Sequence, residues 1–163
     1  MGGVDFKISK CGQKIQVDLD WFPSCHLKQI FNLSASGPSI HHPFHHGVGH
    51  VLSHWTWLPS LKRQFNLSGK RFFGASGDVI IRLMTPRGIR YEDAYAKAHP
   101  FDKLIDGMLQ GSMVRDTVEI AREAIDQGIR PNIIINNRAG GNAPLIAQKI
   151  ATTFVRALPE AKS

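Results

Sequence analysis

The chain has 163 residues, 42% of them hydrophobic, with two cysteines and a formal net charge of +7. That is enough apolar chain for one domain with its own core, which excludes a disordered composition and a disulfide-built scaffold. Mean hydropathy is −0.16, and no apolar run nears the ~20 residues of a membrane span. The N-terminal "MGGVDFKISK" lacks the apolar core of a secretion signal, and Phe6 stands where a myristoylation signal needs Ser or Thr. A soluble, cytoplasmic protein is expected, with Cys11 and Cys25 as ordinary thiols. The charge is uneven: residues 1–77 balance to +5 and residues 78–163 to +2, and no acid occurs between Trp21 and Gly77.

Val4, Phe6 and Ile8 alternate with polar residues, as do Ile15, Val17, Leu19 and Trp21, with Gly12 between the two runs. Period two on both sides of a glycine turn predicts a β-hairpin over residues 4–21. "SCHLKQIFNL" could form a short helix capped by Ser24. From Ser34 to Gly77, Gly, Pro, Ser and His dominate and no period emerges. The apolar, β-branched "GDVIIRLM" then predicts a buried strand, and "PRGIRYEDAYAKAHP" a loop with at most a helical turn. "FDKLIDGMLQG" reads as irregular or a short helix. "SMVRDTVEIAREAIDQG" predicts a helix capped by Ser112, with Val114, Val118, Ala121 and Ile125 on one stripe and Gly128 at its end. "IRPNIII" predicts a second buried strand, and Pro144 to Leu158 a last helix. Strands alternating with helices, each strand apolar throughout, predict a parallel sheet covered on both faces.

Ligands in such sheets bind at the carboxyl ends of the strands. Asn136 and Asn137 stand there, followed by Arg138, Gly140, Gly141 and Asn142. The amides offer donors and acceptors, and the glycines permit close backbone approach. The N–H groups near Asn142, opening the last helix, suit an anion, and Arg138 could add charge. The plainer reading of the same residues is a tight strand-to-helix turn. Arg82, inside a buried strand, needs a partner or a ligand; Asp78 and Asp102 are candidate partners.

Six histidines crowd into His41, His42, His45, His46, His50 and His54. The last two have the i,i+4 spacing of a helix face that could hold a metal, but no acid lies near, and a plain loop is the favoured reading. Trp55, Trp57, Phe72 and Phe73, near Lys62, Arg63, Lys70 and Arg71, could form a nucleic-acid face; core packing is favoured.

"DVIIRLM", "FDKLIDGM" and "AREAIDQGIRPNIIINNRAGGNAPL" together resemble the C-terminal part of the YecE-like domain-of-unknown-function family. The shared features are Ile81-Arg82-Leu83, the segment Phe101 to Leu104, the helix Ser112–Gln127, and Asn136-Asn137 running into Gly141-Asn142-Ala143-Pro144. The resemblance spans about residues 74–157. It implies an α/β fold of TIM type, here a partial barrel made of the last β/α units, with residues 1–73 as an atypical N-terminal segment and 159–163 as a tail. Met84-Thr85 replace the family's usual His-Gly, and Arg138 follows Asn-Asn.

A complete β/α barrel takes about 250 residues. Residues 1–73 must then replace the missing sheet, the chain must associate with itself or a partner, or the sequence is a truncated or frame-shifted fragment without autonomous activity. The leading expectation is an anionic, phosphate-bearing ligand, a small molecule or nucleic acid, held by Arg82, Asn136, Asn137, Gly140, Gly141 and Asn142. No cofactor is indicated, and no acid–base pair defines a reaction. A His-cluster metal-binding module is the remaining alternative.

Overall fold

The computed structural model describes residues 3–11, 14–22, 49, 51–73 and 77–157. The fold is mixed α/β, with a parallel three-stranded sheet and four α-helices among the described residues. The elements run β1 (Gly3–Cys11), β2 (Lys14–Phe22), β3 (Val51–His54), α1 (Leu61–Leu67), β4 (Asp78–Leu83), α2 (Tyr91–Ala98), α3 (Gly111–Asp126), β5 (Arg130–Ile135) and α4 (Ala143–Arg156). The spatial order is β2-β1-β5-β4-β3. β3, β4 and β5 are parallel, and β1 joins β5 antiparallel and pairs with β2. The sheet is open among the described residues, with β2 and β3 at its edges.

Register explains the core. Leu52, Ile81 and Ile133 stand in one row across the parallel strands, and His54, Leu83 and Ile135 in the next. Successive strand residues face opposite sides, so these positions share one face. Leu61 and Phe65 of α1, Val114, Val118 and Ala121 of α3, and Ile146, Ile150 and Phe154 of α4 pack with them in one cluster. Burying each such large side chain contributes roughly 1.5–3 kcal/mol. The sheet was expected to be covered on both faces. Instead α1, α3 and α4 all lie on one, because consecutive strands are neighbours and each crossover returns on the same side. Ile80, Arg82, Asn132 and Ile134 occupy the other face, half-buried.

The parallel strands start at β3, ahead of residue 74, from which the resemblance runs. α1 is only seven residues long, held by Leu61 and Phe65 at i,i+4 and by two caps: Ser60 Oγ accepts from Arg63 N (3.2 Å) and Asp116 Oδ2 from Lys62 N (3.1 Å). The N-cap of α3 is Gln110 rather than Ser112, which lies inside its first turn. Gly128, at φ +72°, ends it in the left-handed region. "YEDAYAKA" forms a full eight-residue helix, longer than the expected single turn, with Ala94 and Ala98 packed on Met108, Phe101 and Ile105.

The expected helix near Ser24 and the residues His41, His42, His45, His46 and His50 lie outside the described residues. His54 lies on β3, not on a helix. No cluster of metal-ligating side chains occurs among the described residues, and no helix there is long and apolar enough to cross a membrane. Phe73 is buried, and Phe72 stacks on Phe65 at 4.8 Å, the core packing favoured for them.

Candidate functional site

The three parallel strands end side by side. Met84 N donates to His54 O (3.0 Å) and Asn136 N to Leu83 O (2.8 Å), so the exits of β3, β4 and β5 remain in register beyond the sheet. After β5 the chain makes one 3-10 turn over Asn137–Ala139, passes Gly140 and Gly141, and enters α4. The segment after β4, residues 84–110, roofs this edge. Thr56 Oγ1 donates to Ile89 O (2.7 Å) on one side, and Ile105 N to Gly140 O (2.9 Å) on the other.

The expected site residues divide into two roles. Asn136, Asn137, Gly140, Gly141 and Asn142 do meet in one corner, but their atoms hold the chain. Asn136 Oδ1 accepts from Arg138 N (3.0 Å) and Asn137 Oδ1 from Ala143 N (2.8 Å). Asn142 Oδ1 accepts from Leu145 N (2.9 Å), while its Nδ2 donates to Phe101 O (2.8 Å). Ile146 N donates to Asn142 O (3.0 Å), and Pro144 has no N–H. The first turn of α4 therefore has every N–H engaged, and the anion contact expected from its amides is not available. Gly141, at φ +111°, lies against the Lys103 carbonyl, where a Cβ would collide. Arg82 stands apart on the half-buried face of β4, opposite Ile134. Asp78 is bound by Arg130 and Asn132, and Asp102 is exposed, with no salt bridge among the described residues.

The corner's product is the position of Arg138. Held by the 3-10 turn, this side chain is only 8% exposed. Its Nη1 donates to Tyr91 Oη (3.1 Å), and the guanidinium carbon lies 4.1 Å from the Tyr91 ring centroid. No carboxylate pairs with it among the described residues, and its Nε is buried without a hydrogen-bond partner. Burial pushes the guanidinium below its usual value, partly offset by Tyr91, yet an arginine remains protonated in proteins. A buried cation without a counterion is costly.

Three more buried polar atoms lack partners: Ser53 Oγ, His54 Nε2 and Thr85 Oγ1. They occupy the ends of β3 and β4, as Arg138 follows β5. His54 is 2% exposed. Burial, reinforced by the positive Arg87, lowers its pKa to about 4, against a hydrogen bond with Gln110 that acts in the other direction. It is therefore neutral at pH 7, and one ring nitrogen keeps a lone pair. These atoms lie along the ends of three neighbouring strands, with Ser53 on the face opposite His54.

Sequence reasoning noted Arg138 as added charge but did not place Ser53, Thr85 or Tyr91. The only sequence signal of Ser53 and Thr85 is closeness to a strand end, and β3 was not recognised as a strand; Tyr91, opening α2, carries none. Comparisons with family models, with curated proteins and with solved structures find no match to this chain.

Proposed function

We propose that the protein is a YecE-like β/α protein that binds a phosphate-bearing small molecule at the carboxyl rim of its parallel strands, with Arg138 as countercharge. The resemblance through Ile81-Arg82-Leu83 and the Asn136 to Pro144 block supports the family reading. Three β/α units wound in one direction, with their helices on one face, are compatible with a strip of a TIM-type barrel. A cytoplasmic setting belongs to the same proposal. The observation that carries the ligand reading is Arg138 itself: a buried guanidinium with no carboxylate among the described residues and an Nε without a partner. Folded proteins leave few buried polar atoms unsatisfied, and a bound anion would satisfy this one. Asn136, Asn137, Gly140, Gly141 and Asn142 serve by building the turn that presents Arg138. Arg82 contributes positive charge from the neighbouring strand.

Calorimetric titration of inorganic phosphate into the wild type and Arg138→Gln tests the reading. Binding in the wild type, weakened at least about tenfold in the variant, is expected, since a charge-assisted hydrogen bond contributes about 1.5–3 kcal/mol. Equal affinity in both proteins would remove Arg138 from the site.

A further inference from the structure

His54 closes β3 with a ring that is 2% exposed, and its Nε2 has no hydrogen-bond partner. Burial and the positive Arg87 hold the ring's pKa down at about 4, and only a hydrogen bond with Gln110 acts upward. A bond that favours the protonated ring is one in which the ring donates. Because Nε2 is unpartnered, the donor is Nδ1–H, and Nε2 carries the lone pair.

Gln110 is placed to fix that tautomer. It is the N-cap of α3, yet its side chain makes no capping bond, and glutamine is not among the residues favoured there. Its Nε2 donates to Arg87 O instead (3.0 Å). With the amide nitrogen turned to that carbonyl, the amide oxygen is left to accept from His54. The side chain thus leaves the helix end and joins the segment 84–110 to the imidazole.

The partner's charge decides what Nε2 can do. A carboxylate behind the ring would stabilise an imidazolium and favour a general base, whereas the amide of Gln110 is neutral. The positive Arg87 also opposes a second charge on the ring, and no cluster of metal-ligating side chains occurs among the described residues. Nε2 is therefore suited to accept a hydrogen bond, not to take a proton or hold a metal ion. Thr85 follows Met84, whose N donates to His54 O (3.0 Å), and its Oγ1 is likewise buried without a partner. An apolar occupant would leave both atoms unsatisfied.

We infer that His54 Nε2 is a fixed hydrogen-bond acceptor for a neutral hydroxyl of the molecule bound at this rim, with Gln110 as its positioning residue. A lone pair cannot hydrogen-bond a deprotonated oxyanion, so this contact adds a different group to the ligand's chemistry. The site is built from His54, Arg87 and Gln110 and does not depend on Arg138.

The test is NMR of the full chain at pH 7 with 15N-labelled histidine. The expected His54 tautomer is Nδ1–H; an Nε2–H tautomer would overturn the inference. Methanol and acetonitrile are both small enough to probe an enclosed site, but only methanol donates a hydrogen bond through O–H. Methanol should shift the His54 Nε2 resonance along a saturating curve, and acetonitrile should leave it in place. Equal responses, or none to methanol, would overturn the acceptor role. Gln110→Leu should weaken the methanol response about fivefold, the loss of one neutral hydrogen bond, and Gln110→Glu, which keeps the accepting oxygen, should retain it. An undiminished response in Gln110→Leu would remove Gln110 as the positioning residue. Inorganic phosphate titrated into the same samples separates the two readings: phosphate binding without a methanol response strikes this inference alone, and a methanol response without phosphate binding strikes the anion reading alone.

Discussion

Gly141 shapes the corner after β5, and His54 stands at the end of β3. Gly141 holds a positive φ against the Lys103 carbonyl, where any side chain collides. Gly141→Ala should cost about 3 kcal/mol or more, from backbone strain and displacement of the segment around Lys103 together, read as a lowered denaturant midpoint. An unchanged midpoint would mean that the corner yields freely. His54 gives a pH signature. Its folded pKa of about 4 lies below the ordinary 6.5, so the unfolded chain binds the proton more readily. Above pH 6.5 the ring is neutral in both states and its burial costs nothing in protonation. As pH falls from 6.5 towards 4, stability is lost, by an amount of order 2–3 kcal/mol. Urea unfolding at pH 7 and pH 4.5 should show a smaller acid loss in His54→Asn than in the wild type. Equal losses would place the titration elsewhere.

At the scale of elements, β3 shows how the sheet ends. Its outward-facing Ser53 donates from N to Gln64 Oε1 (3.0 Å) and accepts at O from Gln64 Nε2 (2.7 Å), and that Nε2 also reaches Pro59 O (2.7 Å). One side-chain amide from α1 thus supplies what a neighbouring strand would, blunting an exposed edge. Gln64→Ala should destabilise the fold by about 1–2 kcal/mol and make the chain self-associate with rising concentration in sedimentation. A monomer of unchanged stability would show that the clamp is idle. Neither β3 nor α1 was legible in the sequence. "VLSH" is four residues long, with polar side chains buried at a strand end, and "LKRQFNL" carries only one i,i+4 apolar pair. By contrast β4, α3, β5 and α4 were readable, because long apolar runs and full helical stripes are burial written directly into composition. The corner residues were readable as a group but not by role: asparagine and glycine look the same whether they hold a ligand or the chain.

Across the whole molecule, one core joins β3 to α4, and Leu52 near its start packs in the same cluster as Phe154 near its end. That continuity brings the exits of three strands to one rim, where Ser53, His54, Thr85 and Arg138 leave buried polar atoms without partners. A complete barrel, of which only a part was expected here, would close such a sheet upon itself. In the described residues the sheet instead ends at β3 on one side and continues through β1 and β2 on the other, an arrangement no periodicity in the first 77 residues could convey. The central claim is that this shared rim binds an anion through Arg138. Its most direct test is a phosphate titration followed by NMR of 15N-labelled protein, watching the Arg138 Nε–H together with the backbone amides of His54 and Thr85. The account predicts that all three resonances move along one saturation curve and that the Arg138 Nε–H shifts most. An Arg138 Nε–H that stays in place while phosphate perturbs only exposed lysines and arginines would contradict it.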